Sequence, residues 1–423
     1  MCAKLLICLL NRSLTLLVTN KKYNSEALAI AQKVNHLTRE RHAKWLVSLK
    51  YILDQSDVDA TLSRQSEFCD SVILKEEERI TNNQRLLLEC ESERVQERRQ
   101  AAEDKQRILG NVVDDVTKHA EQLITETLLN MPAIKLFGRF PDFSYFSSIA
   151  YSPSVSYSKL TVLSTNDNQL RNNLLMLVND PKFCARIGKM ARGINEPQVA
   201  IGTLGTENCR VLLPILMVKP ILRWHNPLTK NIAPKLWQHM ILTANVTRMR
   251  LDMAGIKNPE QGVLLGVLRT IGNFAVVNQF PQLFEDALVE KMRYYRENNL
   301  RDEYYACAEV TPNLNLLPKL LVNLDNAITR KVIEEIEWGP NTVHLKNALL
   351  DDLEERPILE RSEFGVALAQ GQAYAIFDML DRSDAFLEKH KPFWFAHVQM
   401  PPSALNELRA KHPGRIGLSN ANS

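Results

Sequence analysis

The stretch Gly262-Val-Leu-Leu-Gly-Val-Leu-Arg-Thr-Ile-Gly-Asn-Phe274 is an almost wholly apolar segment in the second half of the 423-residue chain. Such a run is typical of a helix that is buried on all sides. The preceding Asn258-Pro259-Glu260 predicts its start, with asparagine as N-cap and proline at the first helical position. We therefore expect a central helix of a bundle, in which Arg269 and Thr270 face the interior.

The composition of the whole chain favours an all-α fold. The 15 glycines are about half of the roughly 30 that average usage would give. The formal net charge of +3 gives no overall imbalance that would dictate a partner. The seven cysteines are scattered and form no CxxC pair, which predicts reduced thiols in a cytoplasmic protein and argues against disulfides and a zinc site.

Residues 1–22 form an apolar N-terminal segment. Its apolar run from Leu5 to Val18 is interrupted at Asn11-Arg12 and is shorter than the ~18 residues of a membrane-spanning helix. We expect a short hairpin that turns at Asn11-Arg12, or a helix docked on the body of the protein, and no integral membrane segment.

The pattern of residues 23–130 predicts an N-terminal helical arm. Two apolar stripes at helical spacing lie in its first part (Ala27, Ile30, Ala31, Val34, Leu37; then Trp45, Leu46, Leu49, Ile52, Leu53). Between Lys75 and Arg107, eight basic residues stand against nine acidic ones, which is typical of a solvated helix and not of a nucleic-acid-binding arm. We expect long helices in a hairpin or a coiled coil, which would serve homodimer formation or the docking of a partner.

A proline- and aromatic-rich break between Met131 and Asp167 separates this arm from a series of short helices. Proline and glycine punctuate these helices at ordinary globular lengths of roughly 8–20 residues, and we expect Pro281 to open one of them. We assign residues 131–350 to one multi-helical domain and residues 351–423 to a helical C-terminal extension that packs on it.

The charges are unevenly distributed between two segments. Residues 182–250 contain eleven lysines and arginines and two acidic residues. Residues 331–388 contain five lysines and arginines and thirteen acidic residues. The two segments would face one another or make a complementary dimer contact. Alternatively, the basic segment would be a face for an anionic partner such as a nucleotide, with nucleic acid the less favoured candidate.

His239 is the first candidate site residue, and it has two interpretations. It is either a core histidine whose hydrogen bonds are satisfied or a remnant of a ligand set. The chain contains no nucleophile elbow, P-loop, dinucleotide-binding glycine pattern or zinc-protease motif that would point to another chemistry.

The order and spacing of several short motifs resemble the HDOD family over roughly Met131 to Leu350. The motifs that carry this resemblance are Asp180-Pro181, Ile201-Gly-Thr-Leu-Gly205-Thr-Glu, Trp237-Gln-His239, Gly266-Val-Leu-Arg-Thr-Ile-Gly272 and Trp338-Gly339-Pro340. The resemblance implies an HD-like helical bundle. It also implies a bacterial regulatory or signal-output module related to the HD metal-dependent phosphohydrolases.

Those phosphohydrolases hold a divalent metal with a histidine, an adjacent His-Asp pair and a later aspartate. His239 would match the first histidine, but Arg269 and Thr270 occupy the His-Asp positions, and the later ones would fall near Asn326 and Asp351-Asp352. A guanidinium has no lone pair to donate to a metal and stays protonated. We therefore expect no metal and no catalytic residue here. Arg269 would either pair with an acid across the bundle or bind an anion in a vestigial pocket with His239 and Thr270.

These observations lead to a hypothesis and two alternatives. The protein would be a non-enzymatic cytoplasmic regulator, without a cofactor, that acts by binding protein partners. It would alternatively be a receptor for an anionic nucleotide, using Arg269 and the basic segment 182–250. A residual metal-dependent phosphohydrolase is the least favoured alternative.

Overall fold

The computed structural model describes residues 16–19, 21–52 and 89–418, and this part of the chain contains helices and no strand. The prediction of an all-α multi-helical bundle is confirmed. The helices are α1 Ser25–Val47, α2 Glu89–Asn130, α3 Ala133–Phe137, α4 Phe143–Ala150, α5 Tyr157–Asn166, α6 Asn168–Asn179, α7 Pro181–Arg186, α8 Pro197–Leu204, α9 Thr206–Val218, α10 Ala233–Met253, α11 Gln261–Arg269, α12 Ile271–Glu297, α13 Arg301–Ala306, α14 Leu317–Glu335, α15 Val343–Leu353, α16 Glu363–Asp381, α17 Lys391–His397 and α18 Pro402–Ala410. Short 3-10 turns lie at Leu49–Tyr51, Cys307–Glu309, Leu314–Leu316, Ile358–Glu360 and Glu388–His390.

Helix α10 lies at the centre of the bundle, between α11 and α16. Glycines allow both close approaches. A Cβ on Gly266 of α11 would lie 2.3 Å from the Ala244 Cα, and one on Gly371 of α16 would lie 2.2 Å from the Thr247 Oγ1. Only a residue without a side chain fits at these distances, so the helices touch through their backbones.

Helices α11 and α12 follow one another almost without a break, and the join is Thr270. All nine residues of α11 are buried, as we expected for the central apolar stretch. Residues 261–297 are long and apolar enough to cross a membrane, and 94% of their most apolar window is buried inside the protein. The bent pair α8 and α9 passes the same test only when both helices are taken together.

Two local predictions in this region were wrong. Asn258 is not an N-cap; it adopts a left-handed conformation with φ 56°, and α11 begins three residues later, after a turn. Pro281 does not open a new helix but lies inside α12. The first turn of a helix tolerates proline best, yet tertiary packing holds this one in the interior of α12.

Helix α1 packs on the bundle against α14, α16 and α17. Its buried face is not quite the predicted stripe, because Ile30 and Leu37 are exposed whereas Ala31 and Val34 are buried. The buried face continues through polar residues (Asn35, Thr38 and His42) before it reaches Trp45 and Leu46. His42 of this face lines the site described below.

Helix α2 confirms the prediction of a long helix, with 42 residues. Its second half buries a stripe at four-residue spacing against α12, α13 and α14 (Val112, Val116, Ala120, Ile124, Leu128). The side chains of residues 94–107 are largely exposed. Helices α1 and α2 pack mainly on the bundle and do not form a hairpin with each other; a hairpin that involves residues 53–88 lies outside the described residues.

The described end of the apolar N-terminal segment is docked on the bundle. Leu17 is fully buried, and its carbonyl accepts hydrogen bonds from the buried side chains of Arg250 and Gln370, at 3.1 and 2.8 Å. The turn predicted at Asn11-Arg12 lies outside the described residues.

The oppositely charged segments 182–250 and 331–388 are neighbours, because α10 and α16 pack along one another. Both segments are fully described, and no ion pair joins one to the other. The contact between these helices is therefore apolar, with the buried Arg250–Gln370 hydrogen bond of 2.7 Å as its polar element.

Candidate functional site

Arg269, at the end of α11, lies in a cluster of oxygen atoms from α14 and α15. Its Nε donates to Asp352 Oδ2 at 2.6 Å, its Nη1 to Asp325 Oδ2 at 2.6 Å and its Nη2 to Asn326 Oδ1 at 2.7 Å. Only 2% of the Arg269 side chain is exposed. This is the expected pairing of Arg269 with acids across the bundle. Of the residues expected near the later ligand positions, Asn326 and Asp352 belong to the cluster, whereas Asp351 pairs with Arg356 at 2.8 Å.

Asp352 is the second centre of the cluster. Its Oδ1 accepts from Arg361 Nη1 at 2.6 Å, and its Oδ2 also accepts from Gln372 Nε2 at 2.7 Å. Burial by itself would raise the pKa of Asp352, but the charges of Arg269 and Arg361 hold it well below its usual range. Two arginines and two aspartates thus form a buried network whose formal charges cancel.

The same network fixes the charge of Arg269. Burial lowers the pKa of a guanidinium, whereas the carboxylates of Asp325 and Asp352 outweigh this effect and raise the pKa of Arg269 above its ordinary value. Arg269 is permanently charged, and each of its three nitrogens has an oxygen partner. Three of its five N–H donors are thus used within the protein, and two carboxylates match its charge, which disfavours a further anion at Arg269.

Thr270 is buried beside Arg269, but its hydroxyl has a local role. It donates to the carbonyls of Gly266 and Val267 at 3.2 and 3.1 Å, one turn back in α11. The residue that stands at the aspartate position of the resembled His-Asp pair therefore helps to end a helix.

His239 and His42 form a pair at the junction of α10 and α1. Their ring centroids are 4.7 Å apart, and the side chains are 6% and 5% exposed. Both nitrogens of His239 and Nε2 of His42 have no hydrogen-bond partner among the described residues. Burial first, and then the positive charge of Arg269 and Arg39, lowers the pKa of His239 to about 3, so its ring is neutral at pH 7.

Arg39, one turn before His42 in α1, is a half-buried cation on the same side of the bundle. Its Nε donates to Asn35 Oδ1 at 3.2 Å, and no carboxylate of the described residues forms an ion pair with it. Burial and then the charge of Arg269 lower its pKa. Arg39 is thus a cation without a counter-charge in contact.

These groups line one cavity of about 240 Å³ between α1 and the bundle. Its lining includes Arg39, His42, His239, Arg269 and Asp325. The structure therefore brings together all three predicted site residues, since Thr270 lines the cavity as well.

Sequence reasoning missed Arg39, His42 and Asp325. Arg39 and His42 lie in Arg39-Glu40-Arg41-His42, a charged run that looks like a solvated face. The available signal was that polar Asn35, Thr38 and His42 continue the spacing set by Ala31 and Val34.

The donor set does not fit a divalent metal. Among the residues that the structure describes, no group of three or more His, Cys, Asp or Glu side chains is arranged to hold one. The carboxylates of Asp325 and Asp352 are already neutralised by Arg269 and Arg361. At ~4 Å and an effective dielectric of about 20, a divalent ion beside this guanidinium would meet a repulsion of roughly 8 kcal/mol.

Comparison with known proteins adds one result. A protein-family model described as the HDOD domain matches residues 144–306, a span that runs from α4 to the end of α13. No curated protein and no solved structure matches the chain. The matched span contains His239, Arg269 and Thr270, whereas Arg39, Asp325 and Asp352 come from the segments on either side of it. Residues 144–306 thus match the HDOD domain.

Proposed function

We propose that this protein is a non-catalytic regulatory module, which acts by binding protein partners and not by hydrolysing a substrate. The observation that carries the proposal is the replacement of a metal centre by the Arg269 guanidinium. In HD-type phosphohydrolases, a divalent ion would polarise a phosphate and activate water. Here the carboxylates of Asp325 and Asp352 are bound by Arg269, which cannot coordinate a water molecule and lower its pKa as a metal ion does.

The absence of catalysis is tested by measuring metal content and hydrolysis together. We expect the purified protein to contain no stoichiometric Mn, Fe or Zn and to leave phosphomonoesters and phosphodiesters uncleaved with Mn²⁺ or Mg²⁺ added. One metal ion per chain, with hydrolysis that is lost in Asp352→Asn, would overturn the proposal. Circular dichroism of Asp352→Asn separates loss of activity from loss of fold.

Two very exposed methionines support the protein-binding part of the proposal. Met190 and Met176, in the part of the HDOD region before α10, are 81% and 68% exposed. Flexible, polarisable methionine side chains are common on surfaces that bind proteins. Tyr305, also 68% exposed, lies at the other end of the matched region and offers a control of equal exposure.

The interaction is tested by crosslinking in the cells that produce the protein. We expect one or a few proteins to be joined to the wild-type chain in near-stoichiometric amounts, to be lost in Met176→Ser/Met190→Ser and to be retained in Tyr305→Ser. If nothing is crosslinked, or if the double variant retains every crosslinked protein, this part of the proposal is wrong.

A further inference from the structure

The cavity between α1 and α10 contains polar groups that the protein itself does not satisfy. His42 Nε2, both nitrogens of His239 and Asp325 Oδ1, which lines the same cavity, are buried without partners among the described residues. Such atoms cost about 1–3 kcal/mol each when nothing satisfies them. Native structures keep few such groups, and a bound ion or water is a common reason for them. These atoms are therefore a sign of a ligand that both accepts and donates hydrogen bonds.

The charge of the cavity indicates the sign of that ligand. Asp325 and Asp352 are matched by Arg269 and Arg361, so these four residues contribute no net charge. Arg39 then remains as a cation whose single hydrogen bond among the described residues is to Asn35. Glu355, the other acid of the lining, is exposed; its charge acts on Arg39, but the two form no ion pair.

The size of the cavity and its hydrogen-bonding groups indicate which class of anion it can bind. Its volume of about 240 Å³ lies below the ~300–1,000 Å³ of pockets for drug-sized molecules. The guanidinium of Arg39 and two neutral imidazoles, each with one N–H and one acceptor nitrogen, surround a small space. The N–H groups need oxygen acceptors, and the acceptor nitrogens and Asp325 Oδ1 need a donor such as the P–O–H of a hydrogen phosphate. This arrangement suits an anion with several oxygens, and a guanidinium matches phosphate geometry with two parallel hydrogen bonds.

We propose that this cavity binds a phosphate group between Arg39, His42 and His239. This inference goes beyond the proposed non-catalytic function and names a ligand for the same site. The phosphate neutralises Arg39 and gives partners to the imidazoles of α1 and α10, so it fastens α1 to the bundle. The anion-binding residue is thus Arg39 of α1, outside the HDOD match, and not Arg269.

Two sources can supply the phosphate group. One is inorganic phosphate. The other is a small phosphate monoester whose organic part would lie in a neighbouring cavity of about 600 Å³. That cavity is lined by Tyr51, Pro318 and Val322, and it shares Val322 and His36 with the first.

The test is isothermal titration calorimetry with inorganic phosphate and, separately, adenosine 5′-monophosphate, in a phosphate-free buffer. We expect the wild type to bind phosphate and Arg39→Ala to bind it at least about tenfold more weakly, a loss of about 1.4 kcal/mol. Lys33→Ala removes an exposed cation from the same helix and should bind like the wild type. Tighter binding of the monoester assigns the natural ligand to the ester class, and equal binding assigns it to the free ion.

A second readout excludes a loss of binding through misfolding. Thermal unfolding without phosphate should give similar midpoints for Arg39→Ala and Lys33→Ala. Phosphate should raise the amide-exchange protection of residues 25–47 in the wild type and in Lys33→Ala but not in Arg39→Ala. The proposal is overturned if the wild type binds neither probe at millimolar concentration, or if Arg39→Ala binds like the wild type.

This result is separable from that on catalysis. Phosphate binding together with metal-dependent hydrolysis would overturn the proposed non-catalytic function and leave the phosphate site in place. A protein that hydrolyses nothing and binds no phosphate would overturn the phosphate site and leave the proposed non-catalytic function in place.

Discussion

Carboxylates and an amide surround the Arg269 guanidinium. Bulk water therefore cannot replace them as hydrogen-bond partners. Removing one member of a buried ion network leaves the others with uncompensated charge, which costs about 3–5 kcal/mol. We therefore expect Arg269→Met to lower the free energy of unfolding by that amount. Chemical denaturation in urea, followed by circular dichroism, measures it.

Arg330 offers a matched control, since it forms an ion pair of 3.0 Å with Glu354 while 38% of its side chain is exposed. Exposed pairs contribute about 0–1 kcal/mol, so Arg330→Met should change the stability by less than 1 kcal/mol. Equal losses in the two variants would mean that the buried network adds no more than a surface pair. A stabilised Arg269→Met would mean that the desolvation of the network outweighs its attractions.

At the scale of the element, the contact between α10 and α11 depends on one missing methyl group. A Cβ at Gly266 would lie 2.3 and 2.5 Å from the backbone Cα and N of Ala244. The two helices must then separate, and overpacking of this kind costs about 1–3 kcal/mol or more. We expect Gly266→Ala to destabilise the protein by at least 2 kcal/mol in the same urea experiment.

Gly202, inside α8, is the counterpart of Gly266. A Cβ there meets nothing within 4 Å, so only helix propensity changes. Alanine is favoured over glycine by about 1 kcal/mol in a helix interior, and Gly202→Ala should therefore stabilise the protein by up to that amount. A Gly266→Ala variant that is as stable as Gly202→Ala would contradict the backbone contact at Gly266.

The two halves of α2 differ in what supports them. Residues 94–107 are largely exposed, whereas Val112, Val116 and Ala120 lie on the buried stripe. Isolated helical segments are marginal in water, and local stability follows tertiary packing. Amide hydrogen exchange should therefore be at least about tenfold faster in residues 94–105 than in residues 112–128. Equal protection along the helix would require a partner on the exposed half, such as a second copy of the chain.

At the scale of the whole molecule, local patterns predicted the helices better than the contacts between them. The apolar run at residues 262–274 identified the central helix because a helix that is apolar on all sides must be buried on all sides. Arg269 was recognised because a charge in such a run needs a partner, and Asn326 and Asp352 were placed near it from the resemblance. Arg39 and His42 were missed because they reach the site from a helix 200 residues away. No periodicity determines how such a helix docks.

The neutral histidines predict how stability depends on pH. Burial, followed by nearby positive charges, lowers the pKa of His239 to about 3 and that of His397 to about 4, and it lowers the pKa of His42. Below about pH 6.5, the pKa of histidine in the unfolded chain, these histidines bind protons in the unfolded chain but not in the folded one. Stability is therefore lost as the pH falls.

The loss approaches about 1.4 kcal/mol per pH unit for each such histidine. Urea unfolding between pH 7.5 and about 4.5, in a phosphate-free buffer, should therefore show a slope that His239→Gln reduces by about that amount. The pH stays above the range in which Asp352 would titrate, since its pKa is lowered. His225→Gln is the control, because solvent reaches that ring in the folded protein. An unchanged slope in His239→Gln would mean that the folded protein takes up the proton at this site, as it would if the ring faced an acid and not Arg269.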